Sequence, residues 1–413
     1  MGSVCAVIGA GMVGTATAWH LRQRGHEVVL IDRSEPGQET SFGNAGLIQH
    51  EAAEPYPFPL ELSKIWQVAT AQGFDIVWRA SALRQVLPRV LAYAWYSRAQ
   101  SHATIAQHYG ALIAQCISEH KRMIDSAGAQ DLIDTRGYRK VFRTARAFER
   151  AARDAERLAR TWGIDNRLES SEQLARHEPA LRPRLAGAIH HASTWAVRDP
   201  GALVECYAAD FSAQGGQPWR AQVLGIEPQG RGWALRTTAG PVQAQHVVVA
   251  QGPWSPDLIG GLGYRFPMFV KRGYHQHYDG AHGLASPILD AEKGYLLVPM
   301  RAGLRLTTGA ELALRDDPPQ ATQLEPAQAC ARTLVDLGQP LTADAWMGSR
   351  PCMTDMLPVM GPAPRHPGLW FNFGHGHQGH TLGPVAGRLL AEMISGEPCF
   401  VNPAPYAATR FGG

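Results

Sequence analysis

No run of about 18 uncharged apolar residues occurs anywhere in the 413-residue chain, and a bilayer-spanning helix needs about that length. The first apolar run has no basic segment in front of it, so a cleavable export signal is not expected. Cysteine is sparse and scattered. Cys5, Cys116, Cys206, Cys330, Cys352 and Cys399 include no C-x-x-C pair, which argues against a disulfide framework or a zinc ribbon and leaves most of them as small buried hydrophobes. An excess of one charge is missing too. The 39 Lys+Arg against 36 Asp+Glu leave a net charge of +3, too little to mark nucleic acid as the main partner. Internal repeats, low-complexity tracts and long linkers are also lacking. These absences predict a soluble, cytoplasmic protein. Its length predicts two intimately connected domains, and 43 glycines with 29 prolines suit a loop-rich α/β chain.

What is present begins at the N-terminus. Val4-Cys5-Ala6-Val7-Ile8 is an apolar strand signal that breaks into Gly9-Ala10-Gly11-Met12-Val13-Gly14. Gly9 permits a tight turn, Gly11 lets the backbone approach a pyrophosphate, and Gly14 allows the helix starting near Met12 and Val13 to pack on the strand. Phosphates then face unpaired N–H groups at the positive end of that helix. A second apolar run, Glu27 to Ile31, ends at Asp32 and Arg33. Asp32 stands where an acid grips ribose hydroxyls, and its charge opposes a 2′-phosphate. Strand, glycine turn, helix, strand and acid in this order predict a dinucleotide site.

Further along, 60–163 reads as mostly helical, with three-and-four spacing over Ile105 to Met123 and Ala147 to Trp162. From about 186 strands and helices alternate. Ala202 to Ala213 is a predicted helix, and Trp219 to Ile226 and Trp233 to Thr238 are predicted strands. Gln245 to Ala250, Tyr264 to Tyr278, Gly294 to Pro299 and Leu304 to Ala310 are further predicted strands, and Gly383 to Ser395 is a final helix closed by Gly396.

Four segments carry a resemblance. Thr40-Ser41-Phe42-Gly43-Asn44-Ala45-Gly46-Leu47 is a loop of small, hydrogen-bonding residues. Val247 to Ser255 ends a strand at Gly252 and Trp254, Gly348-Ser349-Arg350-Pro351 follows, and Phe373-Gly374-His375-Gly376-His377-Gln378-Gly379 precedes the last helix. In this order they resemble the D-amino-acid oxidase superfamily of FAD enzymes, most closely its D-amino-acid dehydrogenase small-subunit type, over about Val4 to Gly396. Leu369 to Arg388 and the ending around Pro405-Tyr406 resemble hydroxyproline-catabolic members, which oxidise cis-4-hydroxy-D-proline.

The resemblance implies FAD as the cofactor. It implies an α/β fold with an α+β insert: a discontinuous Rossmann-like FAD domain (1–60, 164–260 and 340–413), and a substrate domain with an antiparallel sheet and a helical region (61–163 and 261–339). It adds Val223 to the cofactor contacts. It implies hydride transfer from a D-amino acid to flavin N5, with Arg350 holding the substrate carboxylate and Tyr295 orienting it. An arginine suits that task, because its planar fork forms two parallel charge-assisted bonds. His377 and His50 are candidate bases for the substrate ammonium. His375, His377 and His380, like His275 and His277, are not expected to hold a metal, since no cysteine or carboxylate ligand lies near in sequence. A non-covalent flavin is expected, with a link through Cys352 as the alternative. Where dehydrogenases of this type commonly follow Arg-Pro with threonine and proline, this chain has Cys352-Met353-Thr354-Asp355, so the side-chain preference does not carry over. Expected partners are a small amino acid and a quinone or other carrier; partner subunits and peripheral contact with the inner membrane face stay open. The alternatives are a glycine- or sarcosine-type oxidase releasing hydrogen peroxide and the flavin subunit of a heteromeric dehydrogenase.

Overall fold

Val4–Ile8 and Glu27–Asp32 are apolar along almost their whole length, a pattern that suits strands covered on both faces in a parallel sheet. In the computed structural model, which describes residues 3–59, 76–280 and 283–412, they lie side by side in parallel, Val4 opposite Glu27 and Ile8 opposite Ile31. The six-stranded sheet has the order Gln217–Arg220, Glu27–Asp32, Val4–Ile8, His246–Val249, Leu369–Phe373, Val359–Pro362. Only the last pair is antiparallel.

Helix Met12–Gln23 packs on this sheet and against the late helix Gly379–Ser395, which glycines make possible: a Cβ at Gly387 would sit 2.7 Å from the Ala16 carbonyl carbon. Residues more than 350 positions apart in the chain are thereby joined in one core. The loop 374–378 leaves the same edge of the sheet as the glycine turn 9–14, because the strands before them run parallel.

The second sheet has ten strands. Met268–Tyr278 lies within it, flanked by Gly303–Thr307, Ala310–Leu312 and Trp346–Met353, all antiparallel to it. Asn166–Ser170 and Gly187–His191 fall in the 164–260 stretch expected on the cofactor side, yet they pair through Tyr138–Phe142 into this larger sheet, with Tyr138 opposite His191 and Phe142 opposite Gly187. The cofactor-side sheet regains the chain only at Gln217–Arg220.

Several element boundaries also differ from the sequence reading. The helical pattern over Ile105 to Met123 belongs to two helices, Ala99–Ile113 and Cys116–Ala127, parted at 114–115. Ala145–Trp162 forms as expected, capped by the Thr144 hydroxyl and ended by Gly163 at φ +69°. The strand expected over Trp219 to Ile226 divides into Gln217–Arg220 and Val223–Gln229, in different sheets: pairing with Glu27–Asp32 ends where the Ala221 N–H donates to the Asp32 carbonyl, and from Val223 the chain pairs with Gly232–Thr237 instead. Residues 60–75, the start of the stretch expected to be helical, lie outside the described residues.

Candidate active site

A cavity of about 740 Å³ lies between the two sheets. One end is built from the glycine turn. Gly9 has φ +109°, and a Cβ there would meet the Ala250 carbonyl oxygen at 2.5 Å; a Cβ at Gly14 would overlap the Gly9 carbonyl oxygen. Only glycine lets strand, turn and helix close at these two points. The Met12 N–H donates to the Ser41 hydroxyl at 3.0 Å, which folds the 40–46 loop over the start of the helix. Asp32 accepts from the Ala10 and Ser34 N–H groups at 2.6 and 3.0 Å, while burial pushes its carboxyl up from the ordinary range. Arg33 stacks on the Trp254 ring at 4.5 Å. Five buried polar atoms on residues lining the cavity, His375 Nε2, Asn372 Oδ1, Gln251 Oε1 and both ring nitrogens of His380, have no hydrogen-bond partner among the described residues. Buried polar groups ordinarily find partners, so a long, flat group with polar edges fits this wall.

The other end carries cations. Lys271 and Arg350 sit directly opposite each other on the antiparallel strands Met268–Tyr278 and Trp346–Met353, an arrangement that points both side chains to one face. Both line the cavity. Arg350 extends across Gly273 and donates to the Gly309 carbonyl at 3.1 Å, and burial lowers its pKa from the ordinary guanidinium value. Lys271 is buried, donates to the Tyr93 hydroxyl at 3.1 Å and lies 4.1 Å from the centre of that ring. Neither has a carboxylate partner among the described residues. Among the described residues the carboxylates lining the cavity are Asp32, Glu39 and Asp257, and each is already engaged: Asp32 by the amides above, Glu39 by Arg33 and Asp257 by Arg315. Phe269, Val90, Leu312 and Leu296 give the same cavity apolar walls.

His377 stands at this end with Tyr56, the rings 5.9 Å apart. Burial, with Arg350 and Lys271 adding repulsion, holds its imidazole well below the ordinary histidine range. Burial alone pushes His375 down to about 3. Helix Gly379–Ser395 begins here, with Gly379 and His380 on the cavity wall, four residues earlier than its sequence pattern suggests.

Of the residues singled out from sequence, Gly9, Gly11, Met12, Val13, Asp32, Arg33, Thr40, Ser41, Asn44, Ala45, Leu47, Val223, Gly252, Trp254, Gly374, His375, Gly376, His377, Gly379 and Arg350 all line this cavity. Five others do not. Gly14 acts behind it, through packing. Gly46, at φ +69°, is held by the Asn44 side chain, which accepts from its N–H at 2.9 Å. Gln378 turns inward to Gln49 and Thr381. His50 bonds Ser193 at 3.1 Å.

Tyr295 is the fifth and the main correction. On Tyr295–Met300, Leu296 and Val298 pack on the cavity side with Leu47 and Tyr138, whereas Tyr295 and Leu297 pack with Tyr274, Tyr278 and Leu334 in the core beyond the sheet. The Tyr295 hydroxyl meets Arg143 at 3.4 Å, and burial with Asp290 pushes its pKa far up. Alternation along a strand sends neighbours to opposite faces, so an isolated tyrosine gave no sign of which face it takes.

Cys352 shares the strand face of Arg350 and Lys271, and both cations act on it to favour the thiolate. It packs with Phe269, Val86 and Tyr93, and burial, which outweighs the two cations, pushes its thiol up. Sequence reasoning passed over Lys271, Tyr93, Tyr138 and Gly273. Lys271-Arg272 within a strand was the available signal, since alternation must turn one of two adjacent charges inward; Arg272 goes to Glu311 at 3.0 Å and Lys271 to the cavity.

The profile of a family described as "FAD dependent oxidoreductase" (DAO) matches residues 5–393. The chain belongs to that family. Its cofactor is FAD, and the glycine turn, Asp32, the 40–47 loop and the 374–379 loop are the residues suited to hold it. Among its relatives, a D-amino acid dehydrogenase of Paramagnetospirillum magneticum is 31% identical over 98% of both chains, and a D-amino-acid oxidase of Bradyrhizobium diazoefficiens is 29% identical, also over 98% of both. The fold is shared with glycine oxidase from Geobacillus kaustophilus (TM-score 0.75, 21% identity, 99% of each chain) and with L-proline dehydrogenase from P. horikoshii (TM-score 0.77, 15% identity, 100% of this chain and 98% of that one).

Proposed function

We propose that this FAD-dependent oxidoreductase dehydrogenates a D-amino acid to its imino acid, with D-proline and cis-4-hydroxy-D-proline as the foremost candidates, and passes the electrons to a quinone or another carrier. The observation that carries this reading is the pair Arg350 and Lys271, set opposite each other with no carboxylate turned towards either among the described residues. An anionic substrate supplies what they lack, and the apolar walls around Phe269 and Leu312 suit a compact aliphatic body.

When bound, the flavin supplies an acceptor for the hydride that leaves Cα. The protein's own groups bind and orient the substrate. Arg350, steadied by the Gly309 carbonyl, holds the carboxylate in a two-point grip that fixes Cα. Lys271, steadied by Tyr93, adds a second positive contact to the same anion. Burial and the two neighbouring cations make His377 a poor base, so the ammonium proton leaves to water, which frees the nitrogen lone pair to form the C=N bond as the Cα–H bond breaks. A cyclic substrate is left as a pyrroline, whereas an open-chain imino acid is hydrolysed by water. The relatives named as D-amino acid dehydrogenases support the D-configuration.

Anaerobic mixing of the FAD-loaded protein with paired D- and L-amino acids tests the reading: bleaching of the flavin band by D-proline or cis-4-hydroxy-D-proline is expected, and bleaching by L-isomers alone overturns it. The relative named as an oxidase favours a second outcome for the electrons. Rapid reoxidation of the reduced protein by air, with hydrogen peroxide formed, would establish that alternative.

A further inference from the structure

Eight large hydrophobic side chains are notably exposed among the described residues, and four of them lie on one helix, Leu83–Tyr96. They are Leu83, Leu87, Leu91 and Trp95, exposed by 40, 42, 61 and 60%. A spacing of four residues places them along one side of the helix. The opposite side, Val86, Val90 and Tyr93, is turned inward, and Val90 and Tyr93 form part of the cavity wall. An apolar face left uncovered at such length marks a contact with something else.

Charge indicates what that partner is. From Ile76 to Ser118 the sequence contains four arginines and no aspartate or glutamate. Arg79 is paired with Glu311, but Arg84, Arg89 and Arg98 have no ion-pair partner among the described residues. At 100° per residue, Arg84 projects within the outward sector that holds the leucines, and Arg98, just past the helix end, lies over the Trp95 ring. Exposed leucines, one tryptophan and an unpaired arginine on one helix face, with a second unpaired arginine at its end, match a helix lying in the interface of an anionic bilayer, the arginines reaching phosphates and Trp95 sitting at headgroup level. No described helix is long and apolar enough to cross a membrane, so the contact would be with the surface.

We infer that helix Leu83–Tyr96 docks this protein on an anionic lipid surface through Leu83, Leu87, Leu91 and Trp95. One wall of the cavity then lies a single helix away from the bilayer, where a lipid-soluble electron acceptor would be concentrated. That consequence rests on the acceptor proposed above; the docking itself does not, because lipid binding is read without turnover.

The test is flotation of the full FAD-loaded protein with vesicles of phosphatidylcholine alone or mixed with phosphatidylglycerol. Wild type should float with the mixed vesicles, weakly or not at all with phosphatidylcholine alone, and should be released by high salt. The double variant Leu87→Glu/Leu91→Glu should lose at least about tenfold in partitioning, since it replaces two buried apolar contacts with charges, while retaining flavin absorbance and dye-linked activity. Trp95→Phe should keep most of the binding but remove the vesicle-induced blue shift in emission. Failure of wild type to float with anionic vesicles overturns the inference, as does equal flotation of the double variant. So does sedimentation without lipid showing a wild-type dimer that the double variant converts to monomer, because the face would then belong to a second copy of the chain.

Discussion

The guanidinium of Arg350 lies across Gly273, in space that the Cβ of any other residue would take. The backbone at Gly273 is ordinary for a strand, so alanine there strains nothing locally and instead pushes the flexible end of the arginine aside. Gly273→Ala should therefore fold, bind FAD and melt near the wild-type temperature, yet show a KM raised by about tenfold or more, as a lost charge-assisted contact implies. Steady-state kinetics beside thermal denaturation would check this. A large loss of stability with unchanged KM would show that the arginine is not the group displaced.

Removing the cations themselves should act more strongly. A hydrogen bond to a charged group is worth about 1.5–3 kcal/mol, and about 1.36 kcal/mol is tenfold in rate. Arg350→Ala should lower kcat/KM by about 10- to 150-fold. Lys271→Met, which keeps the stem and removes the charge, should give a smaller loss, mostly in KM, with Tyr93→Phe shifting KM in the same direction. Titration of an unreactive carboxylate analogue, followed by the flavin spectrum, separates binding from turnover.

Tyr295→Phe should leave kcat and KM within about threefold, because the hydroxyl faces Arg143 behind the sheet, and should cost at most about 1 kcal/mol of stability. A hundredfold loss of kcat would mean that this strand presents its other face to the substrate.

Gly14→Ala should abolish stable FAD binding. Its methyl group would overlap the Gly9 carbonyl oxygen, and a backbone atom cannot step aside as a side-chain tip can. The flavin absorbance retained through gel filtration is the readout.

Stability should fall as pH drops below about 6.5, the ordinary unfolded histidine value. Burial holds His120 and His191, both away from the cavity, down to about 4. The folded state therefore binds fewer protons than the unfolded chain between about 6.5 and about 4, and each group removes on the order of 1–3 kcal/mol across that window, with no further change above pH 7. Melting temperatures from pH 8 to pH 5 should show a plateau and then a decline, which His120→Gln makes shallower.

Most of the cofactor end is legible in the linear chain. Gly9, Gly11, Gly14 and Asp32 answer to local backbone sterics and to the geometry of one strand–turn–helix unit, so a short stretch of letters carries the whole constraint. The family likeness extended that reading to the 374–379 loop. Choice of face at the substrate end was out of reach. Tyr295 and Leu296 are adjacent, and what sends Leu296 to the cavity and Tyr295 to the core is the pairing of their strand with Ile288–Asp290 and Gly303–Thr307. Lys271 likewise meets Arg350 only because two strands 70-odd positions apart align in one register. Local rules act within a turn or a strand; which side chains share a cavity depends on pairings between distant segments, and those are settled when the sheets assemble and the core chooses its side.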